Sequence, residues 1–202
     1  MVSDSEVNPA STEDKNSLRK RVLEQRDDMP PETRNTFGQE IIRNVISLET
    51  YGESKVVLAY VGFGSELRTD EFLRQTLNIG KRLLLPRVNR KTKSLDLYKV
   101  KDLAHDLTSG TWGIKEPDPS RCGQADIRDV DFVLVPGVAF DSRCGRLGYG
   151  AGFYDGLLAN RRISQTRLVA GAFEVQMVER VPMLAHDVYL DLVLTEKRHY
   201  PA

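Results

Sequence analysis

The spacing of apolar positions changes along the chain and predicts an alternation of helices and strands. Leu18, Val22 and the stem of Arg26 recur at steps of four on one helical face, with Asn16 or Ser17 as the cap. Pro30-Pro31 interrupts that helix. Thr33 to Leu48 follows with Phe37, Ile41, Val45 and Leu48 on one face, ended by Tyr51-Gly52. Lys55 to Val61 (KVVLAYV) is apolar at nearly every position, the pattern of a strand covered on both sides. The loop 62–66 (GFGSE) leads to Thr69, a cap for a helix to about Leu77, and Lys81 to Pro86 (KRLLLP) is a second buried strand. That order predicts a parallel pair with a right-handed crossover. Leu95 to Val100 alternates like a half-exposed strand, and Thr111 to Pro119 is turn-rich. Val130 to Val135 is another buried strand, ended by Pro136-Gly137. A glycine-dense loop, Gly145 to Gly156, leads into a helix from Tyr154 to about Asn160. Arg167 to Phe173 and Leu190 to Thr195 are the last two strands. Together these predict an α/β fold, an open parallel or mixed sheet with helices on both faces.

A chain of 202 residues with no internal repeat or linker suits one domain, here residues 15–202, preceded by a solvated tail over 1–14. Lys+Arg and Asp+Glu both number 29. That balance excludes a broad electrostatic grip on nucleic acid or an anionic membrane. No apolar run approaches the roughly 20 residues of a membrane span. The tail carries Asp4, Glu6, Glu13 and Asp14 and no Lys or Arg, unlike a secretory or mitochondrial signal. Two cysteines, Cys122 and Cys144, are too few for a disulfide scaffold, so a cytoplasmic protein is expected.

Ligands of such sheets bind outside the carboxyl ends of the strands, which directs attention to the loops 62–68 and 136–154. In the second, glycines at 145, 148, 150, 152 and 156 surround Arg146, Tyr149, Phe153, Tyr154 and Asp155. Alternate glycines let backbone N–H groups approach a ligand, and the start of a helix favours phosphate. Arg146 adds a charge-assisted donor, and the aromatics offer flat faces for a heteroaromatic ring. The pattern is neither G-x-G-x-x-G nor a Walker lysine motif. Asp155 and Asp187 are carboxylates of the kind that hold Mg²⁺ beside phosphates, although a cap or surface ion pair is the commoner role for either alone. His186 reads as structural or a minor polar contact. Glu66 reads equally as an acceptor for a pterin-like or purine-like ring and as a cap for the next helix. Lys15 and Arg19 share a helical face that reads as solvated. Trp112 reads slightly better as core than as a ligand platform.

Arg146-Leu-Gly-Tyr-Gly-Ala-Gly-Phe-Tyr-Asp155, preceded by Pro136-Gly-Val-Ala-Phe-Asp141, resembles the signature of the 5-formyltetrahydrofolate cyclo-ligase family, also called 5,10-methenyltetrahydrofolate synthetases. The resemblance extends to Lys15-Asn-Ser-Leu-Arg19, Gly64-Ser-Glu-Leu-Arg-Thr-Asp70, Gly113-Ile-Lys-Glu-Pro117, His186-Asp187 and Asp191-Leu-Val-Leu-Thr195. It implies a three-layer α/β/α fold with a mostly parallel central sheet, like that of the ribose-phosphate isomerase and CoA-transferase group. It implies ATP- and Mg²⁺-dependent cyclisation of 5-formyltetrahydrofolate, with or without a polyglutamate tail, to 5,10-methenyltetrahydrofolate, ADP and phosphate. By motif position, ATP would meet Lys15, Arg19, Arg146, Leu147, Gly148, Tyr149, Gly150, Ala151, Gly152, Phe153 and Tyr154. Folate would meet Val61, Glu66, Tyr149, Gly150, Ala151, Gly152 and Phe153. Asp155 and Asp187 would hold Mg²⁺, and Arg146 would be catalytic. Ala151 stands where many relatives have Lys or Gly, and Gly156 where many have Arg. A monomer is expected. A non-catalytic folate- or nucleotide-binding protein, or a sugar-phosphate isomerase or acyltransferase of the same fold, are the alternative readings.

Overall fold

A computed structural model describes residues 14–110, 113–161 and 165–202. The predicted tail up to residue 13, and Trp112, lie outside the described residues. The first half of the chain runs α1 (Lys15–Asp27), α2 (Pro31–Ile46), α3 (Glu49–Glu53), β1 (Val56–Leu58), α4 (Asp70–Asn78), β2 (Arg82–Asn89) and β3 (Ser94–Val100). It continues β4 (Leu107–Ser109), β5 (Lys115–Pro117), β6 (Gln124–Ala125), β7 (Phe132–Leu134), β8 (Ala139–Asp141), β9 (Arg146–Leu147) and α5 (Phe153–Leu158). The last strands are β10 (Arg167–Gly171), β11 (Met177–Val178), β12 (Leu192–Leu194) and β13 (His199–Pro201).

Eight strands form one sheet in the order β13-β12-β10-β7-β1-β2-β3-β6. Its five central strands, β12 to β2, are mutually parallel, and the edges are antiparallel. The period-2 alternation of a strand sorts the side chains between two faces. Val57, Leu83, Leu85, Phe132, Leu134 and Val169 pack with Ile41, Val45, Tyr51, Phe72 and Leu73 of α2, α3 and α4. Val56, Leu58, Leu84, Val133, Leu168 and Ala170 pack on the other face with Leu158 of α5, Phe140 and Leu190. The result is three layers, α/β/α. Both faces are covered, which is why the central strands read as continuous apolar runs.

A third cluster joins α1, through Leu18 and Val22, to Val138, Ala139, Leu147 and Val181. The last four lie in or beside a small sheet, β11-β8-β9, that the sequence pattern did not predict. Its strands are two or three residues long and, unlike β1, β7 and β12, are not set within a longer apolar run that marks them. For the same reason β5 was hidden in the turn-rich 111–119 stretch, and β13 follows what read as the last strand.

Several local expectations are corrected. Helix α1 is capped by Asp14, whose Oδ1 accepts the N–H groups of Asn16 and Ser17 at 2.7 and 3.1 Å; those two residues lie inside the helix. Asp14 is therefore part of the domain and not of the tail. Tyr51-Gly52 does not end a helix but sits inside α3, where Tyr51 is buried against Phe72 and Phe132. Thr69 precedes α4 as expected, yet its hydroxyl donates to the Tyr60 carbonyl at 2.6 Å and accepts from the Gly62 N–H, fixing the loop after β1. Helix α5 spans six residues and starts one residue earlier than expected, with Gly152 at its N-cap.

Candidate active site

The chain leaves β1 toward β2 on one side and leaves β7 toward β10 on the other, so a crevice opens at the carboxyl ends of this adjacent pair. A cleft of about 760 Å³ occupies it. Three segments close around the cleft: the start of α1, the loop after β1 and the glycine loop between β9 and α5.

Lys15 and Arg19, expected on a solvated face, both line the cleft because α1 packs across the small sheet. Lys15 Nζ forms an ion pair with Asp187 Oδ2. Arg19 Nε donates to the Gly148 carbonyl at 2.8 Å, and its Nη1 to Asn16. The glycine loop is thus held from outside by a helix far away in sequence. Gly150 has φ +102°, a conformation that disfavours any side chain, and a Cβ there would stand 3.5 Å from the Arg19 guanidinium.

Arg146, on β9, is buried and lines the cleft. Its Nη2 donates to Asp155 Oδ2 at 2.8 Å and its Nη1 to the Pro136 carbonyl at 3.1 Å. Its Nε is buried without a hydrogen-bond partner, as is the hydroxyl of Tyr154, whose ring lies 6.0 Å from the guanidinium. Burial pushes the Tyr154 phenol far above its ordinary range, with the nearby Glu66 charge adding to the effect. Buried polar groups left open in this way mark a place where a ligand can supply the missing bonds. Leu147 lines the cleft too, while its side chain belongs to the apolar contact with α1.

On the opposite wall, Glu66 is buried and accepts the Phe63 N–H at 3.1 Å. It does not cap α4. Burial raises its carboxyl above the usual range, while hydrogen bonds from Tyr149 and the Phe63 N–H oppose that rise. Arg26, for which the sequence suggested only an apolar stem, is buried and carries the network further. Its Nη2 donates to the Tyr149 hydroxyl at 3.0 Å and its Nε to Ser65 Oγ at 2.9 Å, and Ser65 in turn donates to Asp27. The Phe63 and Tyr149 rings meet at 5.6 Å, so the two loops touch over the cleft. Arg26, Ser65, Phe63 and Tyr60 were not singled out from the sequence. Only the i, i+4 spacing of Val22 and Arg26 hinted that Arg26 turns inward.

Asp155 Oδ1 accepts the Val188 N–H at 3.2 Å, which ties the residue after Asp187 to Asp155. The two carboxylates therefore share one end of the cleft, with His186 Nε2 3.6 Å from Asp187 Oδ1. Desolvation would raise the Asp187 carboxyl, but its bonds from Lys15 and the Leu184 N–H prevail and hold it below the usual range. Among the described residues there is no cluster of three or more metal-ligating side chains. A Mg²⁺ that arrives on a polyphosphate needs only one or two carboxylates and keeps several waters. The pair of hard oxygen donors, with Lys15 and Arg146 already balancing charge, fits such an ion.

The sequence from residue 11 to residue 196 matches the profile of the 5-formyltetrahydrofolate cyclo-ligase family. The chain belongs to that family. It is thereby a ligase of folate metabolism. It is 31% identical over 190 residues to the 5-formyltetrahydrofolate cyclo-ligase of Mycolicibacterium smegmatis, covering 93% of this chain and 96% of that one. It is 28% identical over 183 residues to the Escherichia coli K12 cyclo-ligase, covering 88% and 97%. Its fold matches the solution structure of Aquifex aeolicus 5,10-methenyltetrahydrofolate synthetase with a TM-score of 0.81 and 35% identity, over 93% and 92% of the two chains. No helix among the described residues is long and apolar enough to cross a membrane.

Proposed function

We propose that this cyclo-ligase converts 5-formyltetrahydrofolate and ATP to 5,10-methenyltetrahydrofolate, ADP and phosphate. The observation that carries the reading is one cleft that brings together two chemically distinct sets of groups. A buried, incompletely bonded Arg146 lines it with Lys15, Arg19 and a glycine loop, and the buried acceptor Glu66 lines it across from that loop, within reach of Tyr149.

The formyl group on N5 is an amide whose oxygen leaves poorly. Its attack on the γ-phosphorus expels ADP and forms a C–O–P bond. N10 then adds to the activated carbon, the C–O bond breaks with phosphate as leaving group, and the N10 proton is lost. The protein contributes position and charge, without a nucleophile of its own. Glu66 accepts N–H donors of the pterin, and the Arg26–Tyr149 bond keeps that carboxylate in place. Val61, residues 148–152 and Phe153, which line the same cleft, would lie along the bound folate. Lys15, Arg19 and Arg146 face the phosphates, and Arg146 takes up the charge that develops on the transferring phosphoryl oxygens. Asp155 and Asp187 would hold Mg²⁺, which when bound supplies further neutralisation of the phosphates.

The test is the near-ultraviolet absorbance of the methenyl product from purified protein, Mg²⁺ and 5-formyltetrahydrofolate, with and without ATP. Product formed equally without ATP, or ATP bound with no product, overturns the reading.

A further inference from the structure

The cleft continues past the pterin end. Its floor there is apolar, formed by Leu85, Pro86 and Val88 of β2 with Leu95 of β3 and Ile114. Beyond Val88 and Glu116 it adjoins a second cavity of about 450 Å³ that shares those two residues. The second cavity is polar, and Arg87, Asn89, Arg90, Lys91, Asp96 and Glu116 are among its walls.

Both carboxylates of this cavity already have partners. Asp96 accepts from Asn89 Nδ2 at 2.9 Å, and Glu116 accepts the Val88 N–H at 3.3 Å with Arg87 at 3.9 Å. Arg87 also donates to the Pro117 carbonyl at 2.8 Å. The side chains of Arg90 and Lys91, on the β2–β3 turn, are exposed and make no ion pair among the described residues. The turn itself has one defined shape, because Asn89 Oδ1 accepts the N–H groups of both Lys91 and Thr92 at 3.1 and 3.2 Å. Two exposed cations on an ordered turn thus line a cavity next to the apolar floor.

We infer that this outer cavity binds the glutamate end of the folate substrate, with Arg90 and Lys91 as the residues that select for its carboxylates. The inference rests on the proposed function and adds a subsite to it. With the pterin on Glu66, the next part of the molecule is a flat aminobenzoyl ring, which suits the apolar floor. The molecule then ends in an α,γ-dicarboxylate, and each further glutamyl unit adds one negative charge. The four steps from Pro86 to Arg90, along the end of β2 and into its turn, span about 13 Å, comparable to the extended aminobenzoyl-glutamate arm. Lys15 and Arg19 are not among the walls of the outer cavity and are engaged elsewhere, Lys15 by Asp187 and Arg19 by the Gly148 carbonyl and Asn16.

The experiment compares the full-length protein with the variant Arg90→Glu/Lys91→Glu on three substrates: 5-formyltetrahydropteroate, which lacks glutamate, and the mono- and triglutamates of 5-formyltetrahydrofolate. In the variant, KM should rise roughly three- to tenfold for the monoglutamate and further for the triglutamate, with kcat unchanged. The wild-type preference for the triglutamate should shrink as salt is raised. KM for the pteroate should stay at the wild-type value. An equal KM change for all three substrates, or no change for the triglutamate, overturns the inference. Binding of p-aminobenzoyl-triglutamate, followed by calorimetry, reads the subsite without turnover. If the wild type turns over none of the substrates, the proposed function fails, while charge-dependent binding of that probe still decides the subsite. A wild type that binds the probe no better than the variant does refutes it. Arg90→Ala/Lys91→Ala should give the same pattern with smaller changes, which excludes a folding defect of the charge-reversed protein.

Discussion

Replacing Arg146 by Ala separates what that side chain does for stability from what it does for turnover. The substitution deletes the bond to the Pro136 carbonyl and the 2.8 Å ion pair with Asp155, whose side chain is only 19% exposed. Asp155 is then left with the Val188 N–H as its remaining partner. Breaking one half of a buried pair costs about 2–4 kcal/mol, at the low end here because Asp155 retains a donor and some water contact. For a domain of this size that lowers Tm by roughly 5–15 °C. Restoring charge balance with Arg146→Ala/Asp155→Asn should recover part of the loss, since no uncompensated carboxylate then remains. Turnover should behave differently. If Arg146 binds the phosphoryl oxygens more tightly in the transition state than in the bound substrate, kcat falls by about 10²–10³-fold in Arg146→Ala; the double variant, which also removes the proposed Mg²⁺ ligand Asp155, reads stability alone. Thermal melts without ligand, and the methenyl absorbance assay well below Tm, measure the two quantities separately. A folded Arg146→Ala protein that turns over within a few-fold of wild type refutes the catalytic role.

Three further outcomes are expected. Glu66→Gln should raise KM for the folate by about tenfold or more, because the amide presents a donor where the pterin needs an acceptor. The native carboxyl of Glu66 holds its proton more tightly than the unfolded chain does. Wild-type stability therefore falls as pH rises above the ordinary carboxylate value of 4.5, and denaturant melts should show that this slope weakens in the Gln variant. Gly150→Ala should cost about 1–2 kcal/mol through its left-handed φ of +102° and should raise KM for ATP more than KM for folate, as read by titrating each substrate at saturating levels of the other. Gly156→Ala, by contrast, lies inside α5 with open space where a Cβ would stand, and should add about 0.4–1 kcal/mol of stability in chemical denaturation with turnover intact.

The sequence by itself determined what contiguous residues can encode. The apolar runs at 55–61, 81–86, 130–135, 167–173 and 190–195 placed the five parallel strands, and the spacing at 37, 41 and 45 placed α2. Glycine density around Arg146 located the loop that lines the cleft. The short strands β8, β9 and β11 have no period and no long apolar run around them, so the small sheet and the seat of α1 upon it came only from the tertiary structure. That docking decides the site. It pairs Lys15 with Asp187 across 172 residues, Arg19 with Gly148 across 129 and Arg26 with Tyr149 across 123. Within α1 these three are ordinary basic residues at helical spacing. They become parts of a cleft because Leu18 and Val22 bury themselves against Val138, Ala139 and Leu147, and burial of an apolar face against a distant partner leaves no signal in the local sequence.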